Sequence, residues 1–317
     1  MPHKALSNTD SDPKENFYKS SCLTSSWLLL ALVIAMLACL FILAWPSIER
    51  FGLPFIWSTA WSPPTNEFGA LPIILGTLIT AVMAAIIAAP TAFCVAVLLT
   101  QVTAPIVSTI ISRLIEFMAA IPSIIYGIWG LFILAPFLSE HVYVHIMNFA
   151  SNIPVLNFLF RGIPVGTTLM TATLILVLMI FPLICAMMRD VIASIPPLVV
   201  EASYGVGLTR AQIVWHIFLH YARAGLLGSV VLGLGRALGE TMAVTFVIGN
   251  AHDLPTGMLM PGTTISATIA NEFTEATTHL YQSALIELGL ILLIISIIVL
   301  VISRNIMKHR VTRGGSQ

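Results

Sequence analysis

Six apolar runs divide the chain, at 27–45, 71–99, 114–137, 166–188, 226–249 and 284–303. Each is long enough to cross a hydrocarbon layer of roughly 30 Å as a helix rising about 1.5 Å per residue. The second is longer than needed and contains Pro90, so the pattern predicts tilt or a kink there. The third contains Pro122, followed by Gly127 and Gly130, and leaves room for a broken helix.

Between the fourth and fifth runs lies a polar interval, 189–224, that is long for a simple turn. Pro196 and Pro197 should stop the fourth helix, because proline removes a backbone donor. Helix formers resume over 198–204, and Gly205 and Gly207 permit a sharp change of direction. A second amphipathic stretch, 209–221, places Ile213, Ile217 and Phe218 near one face. Two short helices joined at a glycine make a compact knob suited to a groove on a partner; an ordinary inter-span loop is the plainer alternative.

Composition fixes the solvent. Hydrophobic residues make up 58% of the chain and charged residues 9%, and the mean hydropathy is +0.97. Soluble domains usually carry about 25% charged residues, so lipid must cover this surface. A net charge of +0, with no basic run, gives no footprint for nucleic acid. Cys22, Cys39, Cys94 and Cys185 show no metal or redox spacing and read as small core residues. The run at 27–45 is too long for a signal-peptide core and is read as a retained first span.

Charge also sets orientation, since lysine and arginine gather on the cytoplasmic side. With a cytoplasmic N-terminus that side holds Lys4, Lys14, Lys19, Arg113, Arg189, Arg210, Arg223, Arg304, Lys308, Arg310 and Arg313, against Arg50 and Arg161 outside. Both termini are therefore expected in the cytoplasm. The outer loops, 46–70, 138–165 and 250–283, carry Trp57 and Trp61, and tryptophan favours the membrane interface. The chain divides into an N-terminal segment (1–26), a first helix with its outer loop (27–70), a transmembrane domain (71–303) containing the loop 189–224, and a tail (304–317).

Candidate chemistry lies in the fifth run. Arg236 and Glu240, four residues apart, would share one helix face, where they can pair or line one path. An unpaired arginine at a helix centre costs about 2.5–3.5 kcal/mol on insertion scales. The pair reads as a polar path for an anion or as a structural ion pair, and Gly235 and Gly239 beside it permit close helix packing. His216 and His220 have helical spacing but no evident third metal ligand. Glu116 and Glu287, near span ends, read as interfacial charges. There is no Gly-x-x-x-x-Gly-Lys-Ser/Thr, hence no P-loop for ATP.

Glu201-Ala202-Ser203, then Gly207, Ile217 and Leu219, resembles the EAA loop of ABC-importer permeases. One departure is His220, where that pattern usually has proline, which leaves the turn after Leu219 open. The stretches from Ala119 through Pro122 and Tyr126 to Gly127, and from Gly233 through Arg236 and Glu240 to Val244, resemble the PstC family of phosphate ABC-importer permeases. The resemblance implies an all-α membrane protein of six transmembrane helices with the type I (MetI-like) permease fold. Glu201, Ala202, Ser203, Gly207, Ile217 and Leu219 would dock an ATPase subunit. The implied partners are a PstA-like second permease, PstB-like ATPase subunits, a PstS-like periplasmic phosphate-binding protein and membrane lipid. The permease itself would be non-catalytic and bind no cofactor, with ATP used by the partner subunit in the bacterial inner membrane. From the residues alone, sulfate or molybdate fits Arg236 as well as phosphate, and an ion-coupled secondary transporter stays open. A membrane enzyme finds no nucleophile–base or metal constellation.

Overall fold

The computed structural model describes residues 13–312, with side chains described over 17–305. Lys4 and Arg313, and the side chains of Lys14, Lys308 and Arg310, lie outside the described residues, as do parts of the segments 1–26 and 304–317. The main helices are α1 (Pro13–Phe51), α2 (Leu71–Val102), α3 (Pro105–Ala120), α4 (Ser123–Ala150), α5 (Leu169–Ala193), α6 (Pro197–Gly205), α7 (Arg210–Tyr221), α8 (Arg223–Leu238), α9 (Met242–Val247), α10 (Ile265–Glu272) and α11 (His279–Thr312). Five of them (α1, α2, α4, α5 and α11) are long and apolar enough to cross a bilayer. The pair α7 and α8, bent by 75°, makes a sixth only when the two are counted together as one broken span.

Two expected spans are redrawn. The run 114–137 is not one helix: α3 ends at Ala120, and Ile121 is extended at φ −66°, ψ 130°. The cause is Pro122, whose ring disfavours the helical conformation of the residue before it. The third crossing is instead α4, whose 28 residues include π-helical turns at Gly130–Leu134 and Ser139–Tyr143. It takes over the first half of the expected outer loop 138–165. The run 226–249 is likewise split, because α8 stops at Leu238 and α9 starts at Met242.

The bundle centres on α2 against α5. Ala81, Ala84, Ala88, Ala92 and Ala96 recur at helical spacing on α2 and are fully buried. They meet Ile175, Leu176, Ile180 and Ile184 of α5 in one core cluster. Small residues suit such a seam because lipid supplies no hydrophobic drive between helices, so close van der Waals packing must hold them. On α8, a side chain at Gly233 would stand 2.5 Å from the Ile184 side chain, and one at Gly225 would stand 2.7 Å from Val191. These two glycines, not Gly235 and Gly239, make the close approach within the chain.

The first helix is fastened to the last. Beside Pro46, the Ser47 N–H donates to Ser283 Oγ at 3.1 Å, and that hydroxyl donates to Leu43 O at 2.9 Å. The serine of α11 thus stands inside the interrupted ladder of α1. Glu287, one turn further along α11, is buried at 6% exposure, contrary to its reading as an interfacial charge. The cysteines divide differently from expectation too: Cys185 is buried, whereas Cys22, Cys39 and Cys94 are exposed.

On the expected outer side the chain folds back into the bundle. Thr263 and Thr264 are buried, and the Ile265 N–H at the start of α10 donates to Thr77 Oγ1 of α2 at 2.9 Å. Thr59, Thr277 and, on the opposite side, Ser194 are exposed. In a background with the native cysteines replaced, Thr59→Cys and Thr277→Cys should react with an impermeant thiol reagent in intact cells. Ser194→Cys should react only after permeabilisation, and the reverse pattern would invert the topology.

Candidate functional site

The two stretches that carry the family resemblance meet in space. The first turn of α4 packs against α9 through Gly127, where a side chain would stand 3.0 Å from Ala243 Cα and 2.8 Å from the Phe246 ring. Two helix breaks, at Ile121–Pro122 and at 239–241, are thereby brought to one region. Each is closed by a side-chain oxygen. Tyr126 Oη donates to Met118 O at 2.9 Å across the first break. Glu240 Oε1 accepts from the Ala243 N–H at 3.2 Å across the second.

Arg236 and Glu240 do not form the helical pair expected of them. The helix ends between them, and the Glu240 carboxylate is turned to the following amide; among the described residues no ion pair joins the two. Arg236 is exposed on the last turn of α8, within electrostatic reach of Tyr126. Beside it, a side chain at Gly235 would meet nothing within 4 Å. Arg236, Gly235 and Gly239 therefore form an open face with an uncommitted guanidinium, the arrangement that can attract an anion.

The loop 189–224 has the expected two-helix form with sharper detail. Pro197 opens α6 at a position where a missing N–H costs nothing. Gly207 supplies the turn at φ +89°, whereas Gly205 ends α6 without a positive φ. Thr209 and Gln212 then form a reciprocal cap on α7, at 2.8 Å from Thr209 N to Gln212 Oε1 and 3.4 Å from Gln212 N to Thr209 Oγ1. Ile213 and Phe218 are the buried anchors, five residues apart because a π-helical turn intervenes.

Of the predicted docking residues, Glu201, Ala202 and Gly207 are exposed. Ile217 and Leu219 are half-buried against the core. Ser203 faces inward, 7% exposed, donating to Val199 O at 2.7 Å. Sequence reasoning missed the exposed apolar tip: Leu198 is 75% and Val206 84% exposed. The signal was present in a valine set between two glycines, a poor place for a core residue. Behind the loop, Arg189 pairs with Glu116 of α3 and with Asp190, each at 3.0 Å, so Glu116 ties two helices together. His216 and His220 each turn Nδ1 to a main-chain carbonyl, at 3.0 and 3.2 Å, and no group of three metal-ligating side chains occurs among the described residues.

A second polar cluster lies on the opposite side, unforeseen because its members are scattered in sequence. Glu272, at the end of α10, receives Trp61 Nε1 at 2.9 Å and Tyr281 Oη at 2.5 Å on Oε2. His252 Nε2 lies 2.6 Å from its Oε1, with the imidazole stacked on the Trp61 ring. Burial pushes this carboxyl up, but the bonds from His252, Tyr281 and Trp61 outweigh it and hold it below its ordinary value of 4.5.

The bundle is thus broken at two adjacent points and carries a protruding two-helix loop. The family described as binding-protein-dependent transport system inner membrane component matches residues 92–313. The phosphate transport system permease protein PstC of Haemophilus influenzae is 46% identical over 301 residues, covering 95% of both chains. The protein of the same name from Mesorhizobium japonicum is 46% identical, covering 91% of this chain and 88% of its own. A probable one from Methanocaldococcus jannaschii is 33% identical over 92% and 93%. The chain therefore belongs to the binding-protein-dependent permease family, within its PstC group. The MetNI methionine ABC transporter in an inward-facing conformation shares the fold at TM-score 0.54 and 17% identity, over 75% of this chain and 94% of that one. A bacterial ABC transporter for alginate shares it at TM-score 0.51 and 18% identity, over 92% and 99%.

Two outcomes follow. A side chain at Gly207 would meet nothing within 4 Å, so Gly207→Val acts through its positive φ alone, a strain of roughly 1–3 kcal/mol. The variant should insert normally and lose ATPase-subunit co-purification or transport coupling; unchanged values of both would remove the loop from coupling. For Glu272, the depressed carboxyl gives stability that is complete above about pH 4.5 and lost as pH falls through the folded value. Hydrogen bonds to a charged group are worth roughly 1.5–3 kcal/mol each. Thermal unfolding should show this acid loss in the parent protein and a smaller one in Glu272→Gln.

Proposed function

We propose that this chain is the membrane-spanning permease subunit of an ATP-driven importer that moves inorganic phosphate across the bacterial inner membrane, with both termini cytoplasmic. The full-length 46% identity to phosphate permeases carries this reading, and the open arginine face supports it chemically. Arg236 attracts the anion, and Glu240 keeps the break in the crossing hydrogen-bonded while placing negative charge beside the path, which prevents a trap. ATP is bound by separate PstB-like subunits that dock on Glu201, Ala202, Gly207 and the exposed tip at Leu198 and Val206. Ser203, Ile217 and Leu219 hold that knob in shape. A PstA-like second permease covers the open face of α8, and a PstS-like periplasmic protein delivers phosphate to the outer loops.

The defining experiment is reconstitution with those subunits and measurement of ATP-dependent phosphate uptake, with sulfate and molybdate as competitors. Competition by sulfate or molybdate equal to that of phosphate would move the assignment to another oxyanion, and uptake without ATP would favour ion coupling. Within that assay, Arg236→Gln should assemble yet lose uptake at least tenfold, equivalent to about 1.4 kcal/mol in the transport barrier. Glu240→Gln retains an acceptor for the Ala243 amide and should fall less. Near-normal uptake by the double variant would reject the pathway role of both residues.

A further inference from the structure

The seam between α1 and α11 encloses a carboxyl that transport does not employ. α1 packs chiefly along α11 and precedes the stretch that matches the permease family, residues 92–313. Glu287 of α11 is 6% exposed, and among the described residues no other acidic or basic side chain is as deeply buried. Ala44 of α1 and Ala284 of α11, about one turn from Ser47 and Glu287, are inaccessible, so the surroundings are apolar. Ser47 of α1 lies beside the carboxyl. Glu287 Oε2 and Ser47 Oγ are nonetheless both enclosed without a settled hydrogen-bond partner among the described residues. Ser283 cannot serve them, because its hydroxyl already donates to Leu43 O and accepts the Ser47 N–H. No ion pair among the described residues includes Glu287. The charged groups on the elements packed against α11 are Glu49 and Arg50 of α1, Glu272 of α10, and Arg223 and Arg236 of α8, and none of them acts on this carboxyl. Tyr281, further back on α11, is bonded to Glu272 instead.

We propose that this pair of oxygens is a proton-binding site: Glu287 holds a neutral carboxylic acid whose O–H donates to Ser47 Oγ, clasping α1 to α11 beside the Pro46 kink. An ionised carboxylate here would keep a full charge in apolar surroundings with one hydroxyl to solvate it, and a charge so placed is neutralised rather than tolerated. A carboxylate only accepts, whereas an acid also donates, so a single proton satisfies both orphaned oxygens. A metal cation is disfavoured because it takes a shell of several oxygens, and the Ser283 hydroxyl is already committed to α1. The proton exchanges with water at the His279 end of α11, about two turns away. When it leaves, the carboxylate remains charged and the bond to Ser47 Oγ loses its hydrogen, so the clasp opens and α1 loosens. This goes beyond the transport reading and holds for any cargo.

The test is infrared spectroscopy of the purified full chain in nanodiscs at neutral pH. A protonated carboxyl gives a carbonyl stretch apart from the amide and carboxylate bands, and that stretch shifts in heavy water. The parent chain should show such a band, Glu287→Gln should lose it, and Glu240→Gln should keep it. Ser47→Ala leaves the acid but removes its acceptor, so the band should move to higher frequency; this variant keeps the test open if Glu287→Gln fails to fold. Raising the pH should abolish the band, and the amides around Pro46 should then exchange hydrogen roughly tenfold faster than those of Glu287→Gln measured alongside. No band at neutral pH, or a band unmoved by both Glu287→Gln and Ser47→Ala, would overturn the proposal. A band that emerges only when sodium and potassium are withdrawn would also overturn it, by assigning the site to a metal cation. Exchange around Pro46 that keeps pace with Glu287→Gln after the band is lost would remove the clasp.

Discussion

An amide or carbonyl in hydrocarbon has no water to bond, so a spanning chain can break its helices only where its own atoms repair the break. That constraint explains where the polar side chains of this bundle sit. Ser283 fills the gap beside Pro46, Tyr126 takes the Met118 carbonyl before Pro122, and Glu240 takes the Ala243 amide after Gly239. Ser108 does the same for the Leu99 carbonyl where α2 gives way to α3. Three of these repairs are local, and that by Ser283 comes from another helix. Without these repairs the breaks would be expensive, and with them the chain can place non-helical backbone at the centre of its polar site.

Glu240 shows how a backbone repair decides the state of a neighbouring charge. Its carboxylate was expected to face Arg236 on one helix and instead caps the start of the next. Among the described residues no carboxylate then neutralises the arginine, which is exposed. A charge left so in lipid is costly, which means the face of α8 bearing Gly235, Arg236 and Gly239 is stable only against protein or water. The face bearing Gly225 and Gly233, by contrast, is closed by Val191 and Ile184 of α5. One helix thus has a settled side and an incomplete side within the same glycine-rich sequence.

The fold was legible where period and length decided it. Runs over 27–45, 71–99, 166–188 and 284–303 correspond to α1, α2, α5 and α11, since long apolar segments have one stable form in a bilayer. The loop was legible because Pro197 and Gly207 are local devices whose effect is confined to a few residues, whereas the Thr209–Gln212 cap emerged only from the structure. The third and fifth spans were misplaced for a common reason. Hydropathy does not register a break that the neighbouring helices satisfy, so the averages ran across Gly239 unmarked and across Pro122, which had marked the third run only as open to a broken helix. The family resemblance marked those same stretches as special without showing that they touch. The node on Glu272 was illegible for a different reason, as Trp61, His252 and Tyr281 come from three segments that only the tertiary fold assembles.

These observations place the mechanical elements of the chain at its ends and the chemical one between them. On one side, the loop is gripped by Ile213 and Phe218 in the core, and the Arg189–Glu116 pair ties α5 to α3 behind it. On the other, Glu272 gathers three outer segments onto one carboxylate. Between them, α8 is the helix that begins at the loop's bend and ends at the site's break. Arg223 and Arg236 lie on one unbroken helix of 16 residues that ends at Leu238. Beyond that end, α9 is packed separately onto α4 at Gly127.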